Sequence, residues 1–325
     1  MLKDSFGRGI HYLRVSVTDR CNLRCVYCMP LQGVRFAPRS ELLQLEEIRE
    51  VVRAGVSLGI RSVRLTGGEP LLRDGIVELV EMLSRLRDLE DLSMTTNGVL
   101  LTRYAKPLAQ AGLRRVNISL DTLHRGRFQE ITRFGTLDDV LSGLETALEV
   151  GLSPIKLNVV VMRGVNDDEI LDLARLSLEK PLHVRFIELM PIGDYFRPDR
   201  IVPAAEIFER LQTLGPLTSV RGPGGCGPAR LWRWEGAEGT VGIIGAITQS
   251  FCAQCNRLRV TANGMLRPCL DDENAVDLKS ALRPVIDPER LATLFQEAVQ
   301  AKPECHTMAG RESGRLRMCM AGVGG

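Results

Sequence analysis

The stretch RVSVTDRCNLRCVYC (residues 14–28) joins an apolar, strand-like run to three cysteines in C-x3-C-x2-C spacing. A loop of this length can place three thiolates on three corners of a cubane [4Fe–4S] cluster, whereas a fully ligated electron-transfer cluster needs four. The fourth iron would then be open to a substrate or cofactor. Zinc is the alternative, but it takes a fourth Cys or His, and His11 is the only other such residue between Ser5 and Val80.

The composition of the 325-residue chain is that of an ordinary globular protein, with a net charge of +2 and 5% aromatic residues. It has no polybasic stripe with interleaved aromatics, so nothing indicates a nucleic-acid partner. The sequence contains no apolar run long enough to span a bilayer, and residues 1–10 have no apolar signal core. We therefore expect a cytoplasmic protein that does not bind membranes, and nine cysteines in that compartment favour metal binding over disulfides.

Short apolar runs alternate with amphipathic helical runs between residues 11 and 190. Alternation of this kind predicts a parallel α/β sheet, and six strands are fewer than the eight of a closed TIM barrel. We therefore predict an open, partial TIM-type (β/α)6 barrel, with helix N-caps at Thr136 and Asn166. The predicted strands cover 11–17, 61–66, 91–96, 114–120, 154–161 and 182–189, and the helices 44–59, 74–87, 101–111, 137–150 and 166–178.

The character of the sequence changes after Pro191, where a Gly- and Pro-rich stretch at 215–228 precedes two short strand-like runs, LWRWEG and TVGIIGAI. Helices are expected at 203–212 and 288–300. We place the boundary between two domains in this region. The predicted division is a barrel domain at 1–200 and a C-terminal domain at 201–325.

A second trio of cysteines, Cys252, Cys255 and Cys269, follows in that C-terminal part. On spacing alone it suits either a second cluster with an open iron or a zinc ion with a distant fourth ligand. Arg257 and Arg259 alternate around Leu258, so on an extended segment they face the same side and could clamp a phosphate or a planar polar ligand. A solvated basic strand face is the alternative. The candidates for a fourth zinc ligand are Cys226, Cys305, His306 and Cys319.

The two trios, together with a Gly-Gly-Glu-Pro turn at 67–70, resemble the GTP 3′,8-cyclase family of radical S-adenosylmethionine (SAM) enzymes. The resemblance runs in order along nearly the whole chain. It is carried by residues 14–30, 64–73, 95–98, 117–123, 156–170, 185–193 and 251–270, and by the final Gly324 and Gly325.

The resemblance implies two [4Fe–4S] clusters and SAM as cofactors, within a radical SAM partial barrel that carries a C-terminal auxiliary iron–sulfur subdomain. Cys21, Cys25 and Cys28 would hold the cluster that binds SAM, and the second trio would hold the cluster that guanine approaches. The implied SAM-binding residues are Tyr27, Gly68, Ser119 and Met190. Those implied for GTP are Arg14, Arg64, Thr95, Lys156, Arg257, Leu258 and Arg259.

The implied reaction is the first step of molybdenum cofactor biosynthesis. A 5′-deoxyadenosyl radical would take the 3′ hydrogen of the GTP ribose. The resulting C3′ radical would attack C8 of guanine, and reduction would then give 3′,8-cyclo-7,8-dihydroguanosine triphosphate. The C-terminal Gly324-Gly325 would enter the active site and be needed for the rearrangement. The implied partners are an electron donor such as flavodoxin or ferredoxin and the downstream cyclic pyranopterin monophosphate synthase, with the enzyme a monomer or homodimer.

The motifs assign no role to several further residues. Arg185 has opposite parity to Glu188 and Met190 on its predicted strand, so we expect it on the outer face of the barrel. Cys226, Cys305 and Cys319 are treated as free thiols. Two rival functions are a radical SAM enzyme that modifies peptides, which would have more cysteines in its C-terminal half, and a zinc-stabilised binding module.

Overall fold

The computed structural model describes residues 2–30, 32–221, 227–314 and 322. Six parallel strands form the centre of one twelve-stranded sheet. They confirm the six predicted strands to within one residue at each end. These strands are β3 (Tyr12–Ser16), β4 (Ser62–Thr66), β5 (Asp91–Thr96), β6 (Arg115–Ser119), β7 (Ile155–Val161) and β8 (Leu182–Glu188).

Helices follow the central strands and cover the outer face of the sheet, where apolar residues of the strands are fully buried, such as Val63, Leu65 and Val116. The helices are α1 (Leu45–Ser57), α2 (Ile76–Ser84), α3 (Leu101–Gln110), α4 (Arg125–Thr132), α5 (Leu137–Glu149), α6 (Ile170–Glu179), α7 (Ala204–Gln212) and α8 (Pro288–Gln300). Short 3₁₀ turns occupy Arg39–Glu41, Pro70–Leu72, Asp167–Glu169, Pro198–Arg200, Cys252–Gln254 and Leu278–Ala281.

One of the two predicted helix caps is confirmed. The Thr136 side chain accepts a hydrogen bond from the amide of Asp139 at the start of α5. The side chain of Asn166 makes no capping bond. Its Oδ1 atom accepts a hydrogen bond from the main-chain amide of Met162, and its Nδ2 atom donates to the carbonyls of Asp121 and Val160. This side chain therefore fastens the loop after β7 instead of a helix end.

The C-terminal part of the chain extends the sheet at both edges. The remaining strands are β1 (Leu2–Lys3) and β2 (Gly9–Ile10), which pair with each other, and β9 (Leu217–Val220), β10 (Arg230–Trp234), β11 (Thr240–Ile244), β12 (Arg257–Val260), β13 (Met265–Arg267) and β14 (Val276–Asp277). The sheet order is β14-β13-β12-β3-β4-β5-β6-β7-β8-β11-β10-β9.

Two of these added strands continue the parallel arrangement. Strand β12 lies parallel to β3, and β11 lies parallel to β8. Among the described residues, the strands at the two ends of the sheet, β14 and β9, have one neighbour each, and the barrel is open, as predicted. The proposed boundary near residue 200 separates elements that share one sheet, and the two-domain division stays a prediction.

Candidate active site

One cavity lies at the carboxyl ends of the parallel strands, which is the face where barrel enzymes place their active sites. Both cysteine trios line it: Cys21, Cys25 and Cys28 on one part, and Cys252, Cys255 and Cys269 on another. The sequence separates the trios by more than 200 residues. They meet because β12, which follows Cys255, pairs with β3, which leads to Cys21.

The loop that carries the first trio is fastened by main-chain hydrogen bonds. The amides of Arg24 and Val26 donate to carbonyls at the end of α4, and the amide of Cys28 donates to the carbonyl of Cys25. The turn at Gly67 and Gly68 packs against the strand end that precedes the loop. A Cβ added at Gly68 would lie 2.2 Å from the carbonyl oxygen of Arg20, so this approach requires glycine.

Burial dominates the chemistry of the first trio. It raises the pKa of Cys21 to about 11, and it raises the pKa of Cys25 still further, with the Asp121 carboxylate adding to the effect. Such thiols remain protonated at neutral pH unless a metal ion displaces the proton, and metal coordination does so. Three half-buried cysteines on one wall therefore fit a bound iron–sulfur cluster.

The four residues implied for SAM, Tyr27, Gly68, Ser119 and Met190, all line the cavity beside the first trio. The Tyr27 hydroxyl donates to Asp121 Oδ2 at 2.6 Å. Asp121 also lines the cavity, and burial raises its pKa to about 6, although the bonds from Tyr27 and the Val160 amide oppose that effect.

Asp121 has no role that the sequence motifs imply. The available signal was its position two residues after Ser119 at the carboxyl end of a predicted strand. There, a carboxylate on a barrel's inner side needs a polar partner.

The second trio has the opposite electrostatic environment. Burial alone would raise the pKa of Cys252, but hydrogen bonds from His306 and Ser250 outweigh it and lower that pKa to about 6. Burial is likewise outweighed at Cys255, where the charges of Arg257 and Lys302 lower the thiol's pKa. Both of these pKa shifts favour the thiolate form of Cys252 and Cys255, which suits metal ligands.

Five arginines face the cavity, whereas Asp121 is the only carboxylate among the described residues that line it. Burial lowers the pKa of four of these arginines, Arg14, Arg64, Arg185 and Arg259. The pKa of Arg185 falls to about 9 and that of Arg259 to about 10. Neighbouring arginines add to the effect of burial. Buried positive charge is costly unless it is paired, so five arginines in one cavity indicate a polyanionic ligand. The five are Arg14, Arg64, Arg185, Arg257 and Arg259.

The structure corrects the expectation for Arg185. The residue is 5% exposed, lines the cavity, and donates from Nη2 to Asn158 Oδ1 at 2.6 Å. Strand β8 ends at Glu188, so Met190 lies beyond the strand. Its position in the sequence therefore does not show which face of the strand Arg185 occupies. Glu188 itself faces the other way, where its carboxylate accepts from the amide of Ala204.

Two residues implied for GTP lie outside the cavity surface. The Leu258 side chain belongs to the hydrophobic core, because it has opposite parity to Arg257 and Arg259 on β12. A contact between Leu258 and GTP would therefore have to use its main chain. Lys156 lies two residues before Asn158 on β7, on the same face of the strand and below the cavity floor. Burial lowers its pKa to about 7, and nearby arginines add to that effect.

The cavity lining contains the other residues implied for GTP: Arg14, Arg64, Thr95, Arg257 and Arg259. Gly324 and Gly325 lie outside the described residues, as do Cys226 and Cys319. Of the four candidates for a zinc ligand, Cys305 and His306 are placed beside Cys252, with ligand atoms mutually within 4.8 Å. Among the described residues, no helix is long and apolar enough to cross a membrane.

The fold and the first trio define the class of protein. Residues 15–177 match the Radical SAM superfamily, and residues 182–308 match the family described as Molybdenum Cofactor Synthesis C. The structure resembles that of Streptococcus suis SuiB bound to S-adenosylmethionine, with a TM-score of 0.61 and 16% identity over 89% of this chain and 68% of that chain. At such low identity this likeness shows the fold alone.

Curated relatives are similar over the full length. The GTP 3′,8-cyclase of Pelotomaculum thermopropionicum is 50% identical over 100% of both chains, and that of Heliobacterium modesticaldum is 51% identical over 99% of both. The GTP 3′,8-cyclase of Moorella thermoacetica is 48% identical over 100% of both chains. The chain belongs to the GTP 3′,8-cyclase family.

Proposed function

We propose that this chain is a GTP 3′,8-cyclase that uses two [4Fe–4S] clusters and SAM. It converts GTP to 3′,8-cyclo-7,8-dihydroguanosine triphosphate for molybdenum cofactor biosynthesis. The observation that carries the proposal is one cavity that is lined by two separate cysteine trios and five arginines. A structural zinc site would explain one trio but not the second, nor the buried positive charge between them.

Cys21, Cys25 and Cys28 are assigned to the first cluster, and the Gly67-Gly68 turn, Tyr27, Ser119 and Met190 to SAM. When bound, the cluster and SAM would supply the radical chemistry that removes the 3′ hydrogen of the GTP ribose. The chain's residues position the reactants and exclude water. Tyr27 is held for this task by its bond to Asp121 and by apolar contacts with neighbours that include Ile131 and Phe196.

The arginines are assigned to GTP. Arg14, Arg64 and Arg259 lie on three adjacent strands, since β12 pairs with β3 and β3 with β4, and Arg14 is the register partner of both others. This row forms a continuous cationic strip on the inner face of the sheet. Guanidinium groups bind phosphate oxygens through paired hydrogen bonds, so the strip suits the triphosphate and leaves the base free to approach the second trio.

Cys252, Cys255 and Cys269 are assigned to the second cluster, whose open iron would take a guanine atom. The tail of the chain is assigned to the same cavity. Its described stem lies against the cavity rim, because Gly314 packs on Gly193 just beyond Met190. Gly324 and Gly325 are proposed to complete the site from there.

The proposed setting is cytoplasmic, where an electron donor such as flavodoxin or ferredoxin would reduce the first cluster. The product would pass to the downstream cyclic pyranopterin monophosphate synthase. A monomer or a homodimer is compatible with a cavity whose described lining comes from one chain.

The test is anaerobic incubation of the reconstituted protein with SAM, dithionite and either GTP or ATP. We expect 5′-deoxyadenosine and a cyclised nucleotide with GTP only, detected by mass spectrometry. Cys25→Ala should abolish SAM cleavage. Cys255→Ala should abolish cyclisation and weaken GTP binding while the first cluster still assembles.

Cys305→Ser is the matched control, because this exposed thiol is not assigned to either cluster. It should leave the iron content unchanged. Normal turnover of GTP by the Cys255→Ala variant would overturn the assignment of the second trio.

A further inference from the structure

Lys302 follows helix α8 and is almost completely buried, with 3% of its surface exposed. Its Nζ atom donates to the carbonyl of Arg257 at 2.9 Å and to that of Pro268 at 2.5 Å. These carbonyls belong to the segments that carry Cys255 and Cys269, and the ammonium group also interacts with the Cys255 thiol. An ammonium group has three donors and no acceptor, so one donor remains for the Cys255 sulfur beside the two carbonyls.

His306 stands four residues further on, beside Cys252. Its Nδ1 atom accepts a hydrogen bond from the amide of Met308 at 3.2 Å. A neutral imidazole whose Nδ1 accepts carries its proton on Nε2, and this buried atom makes no well-formed hydrogen bond within the described residues. The ring interacts with the Cys252 thiol and with the carbonyl of Ala246, so the sulfur is one of two acceptors beside the ring.

A single metal ion bound by Cys252, Cys305 and His306 is the alternative for this corner, because their ligand atoms lie within 4.8 Å of one another. A histidine that ligates through Nε2 donates a hydrogen bond from Nδ1. In this chain Nδ1 accepts one instead. The geometry therefore favours His306 as a hydrogen-bond donor over His306 as a ligand.

The segment between the two donors, Lys302–His306, is fixed to the second trio by Arg8. The guanidinium group of Arg8 donates to the carbonyls of Cys252, Pro303 and Glu304 at 2.8, 2.6 and 2.7 Å. Asp4 accepts from the same side chain at 2.5 Å. Arg8 therefore holds the segment that carries both donors against the loop that carries Cys252.

We infer that Lys302 and His306 are positioning residues that donate hydrogen bonds to Cys255 and Cys252 and raise the reduction potential of the cluster bound by the second trio. Reduction adds negative charge to a cluster, so hydrogen bonds to its sulfurs and a nearby cation stabilise the reduced form. The inference rests on the proposed function, because it takes the second trio to be cluster ligands.

The test uses full-length protein in which Cys21, Cys25 and Cys28 are replaced by Ala, so that only the second cluster is present. Redox titration followed by electron paramagnetic resonance gives its midpoint potential. Lys302→Met and His306→Phe should each lower the equilibrium constant for one-electron reduction about tenfold, a shift of ~59 mV. Lys302→Arg and His306→Gln keep a donor and should recover most of that potential.

Lys106→Met, on the exposed face of α3, is the control for loss of a lysine charge and should leave the potential unchanged. Equal potentials in Lys302→Met, His306→Phe and the parent, at equal iron content, would overturn the inference while leaving the proposed function intact. Absence of iron from the parent protein without the first trio would instead refute the second cluster, and the inference with it.

A second measurement needs no substitution at either donor. In protein labelled with ¹⁵N-histidine, electron–nuclear double resonance of the reduced second cluster should show a weak ¹⁵N coupling, as transmitted through a hydrogen bond. A strong coupling would mean direct ligation by His306, and no coupling would mean no contact. Either result would overturn the assignment of His306.

Discussion

Arg259 is the residue that most directly tests the GTP site, because its guanidinium lies in the cavity beside Arg14 and Arg257. Arg259→Ala should weaken GTP binding by about 1.5–3 kcal/mol, the range for hydrogen bonds to charged groups. Arg259→Lys should recover only part, since the planar fork is lost. Equilibrium binding of GTP measures the effect, with Arg233→Ala on the exposed side of β10 as control. An unchanged affinity for GTP in Arg259→Ala would show that Arg259 does not bind GTP.

Lys156 should give GTP binding a defined pH dependence. Its pKa of about 7 in the free protein is lowered by burial and by Arg115, Arg185 and Arg64, so the amine is largely neutral at pH 8. A bound triphosphate favours the charged form and raises that pKa. GTP binding at pH 8 should therefore take up about one proton, and affinity should fall as pH rises above 7.

Calorimetry of GTP binding in buffers with different ionisation enthalpies measures this proton uptake. Lys156→Met should remove its contribution. If proton uptake is the same in that variant as in the parent, Lys156 is not the titrating group.

The sequence predicts which side chains face the site where the alternation of side chains along a strand can be followed. Arg257 and Arg259 were expected on one side, and the structure places both in the cavity. The same reasoning failed for Arg185, because the sequence does not show that β8 ends at Glu188. Lys302 and His306 could not be recognised beforehand, because their roles depend on contacts between residues that lie far apart in the chain, such as Lys302 with Arg257.

At the scale of elements, the contact between the Gly67-Gly68 turn and the loop that carries the first trio can be tested with two matched substitutions. Gly68→Ala would place a Cβ 2.2 Å from the Arg20 carbonyl, and overpacking of this kind costs about 1–3 kcal/mol. We expect lower stability and loss of iron from the first site. Denaturant unfolding and iron analysis give the two readouts.

Gly126→Ala is the control for this substitution, because nothing lies within 4 Å of an added Cβ at that position in α4. Alanine in a helix should stabilise the protein slightly. Similar behaviour of the two variants would show that the close approach at Gly68 has no special importance.

Most elements were predictable because apolar residues recur at strand or helix spacing. Helix α4 was missed, since only Phe128, Ile131 and Thr132 are buried in it and its remaining residues are polar. The addition of β11 and β12 to the edges of the six-stranded core was also missed. Pairing between strands this far apart in sequence leaves no periodic signal within either strand.

At the scale of the whole molecule, the C-terminal tail provides a test that separates folding from function. Its described stem is held by Asp271, which accepts from Arg311 at 2.7 and 2.8 Å and from the amide of Thr307. Removal of Gly324 and Gly325 leaves these contacts intact. The shortened protein should therefore match the full chain in thermal unfolding, iron content and SAM binding but form no cyclised nucleotide. Cyclisation at the normal rate would exclude a role for the two glycines.

The position of β12 beside β3 has a consequence for synthesis of the protein. Strand β3 keeps one edge unpaired until β12, about 240 residues later, leaves the ribosome. At ~5–20 residues per second this takes roughly 10–50 s, and an exposed strand edge is a template for aggregation. Nascent chains should accordingly need chaperone protection over that interval. Chains stalled at residue 250 should be cleaved by protease near residues 12–16, whereas chains released at full length should resist.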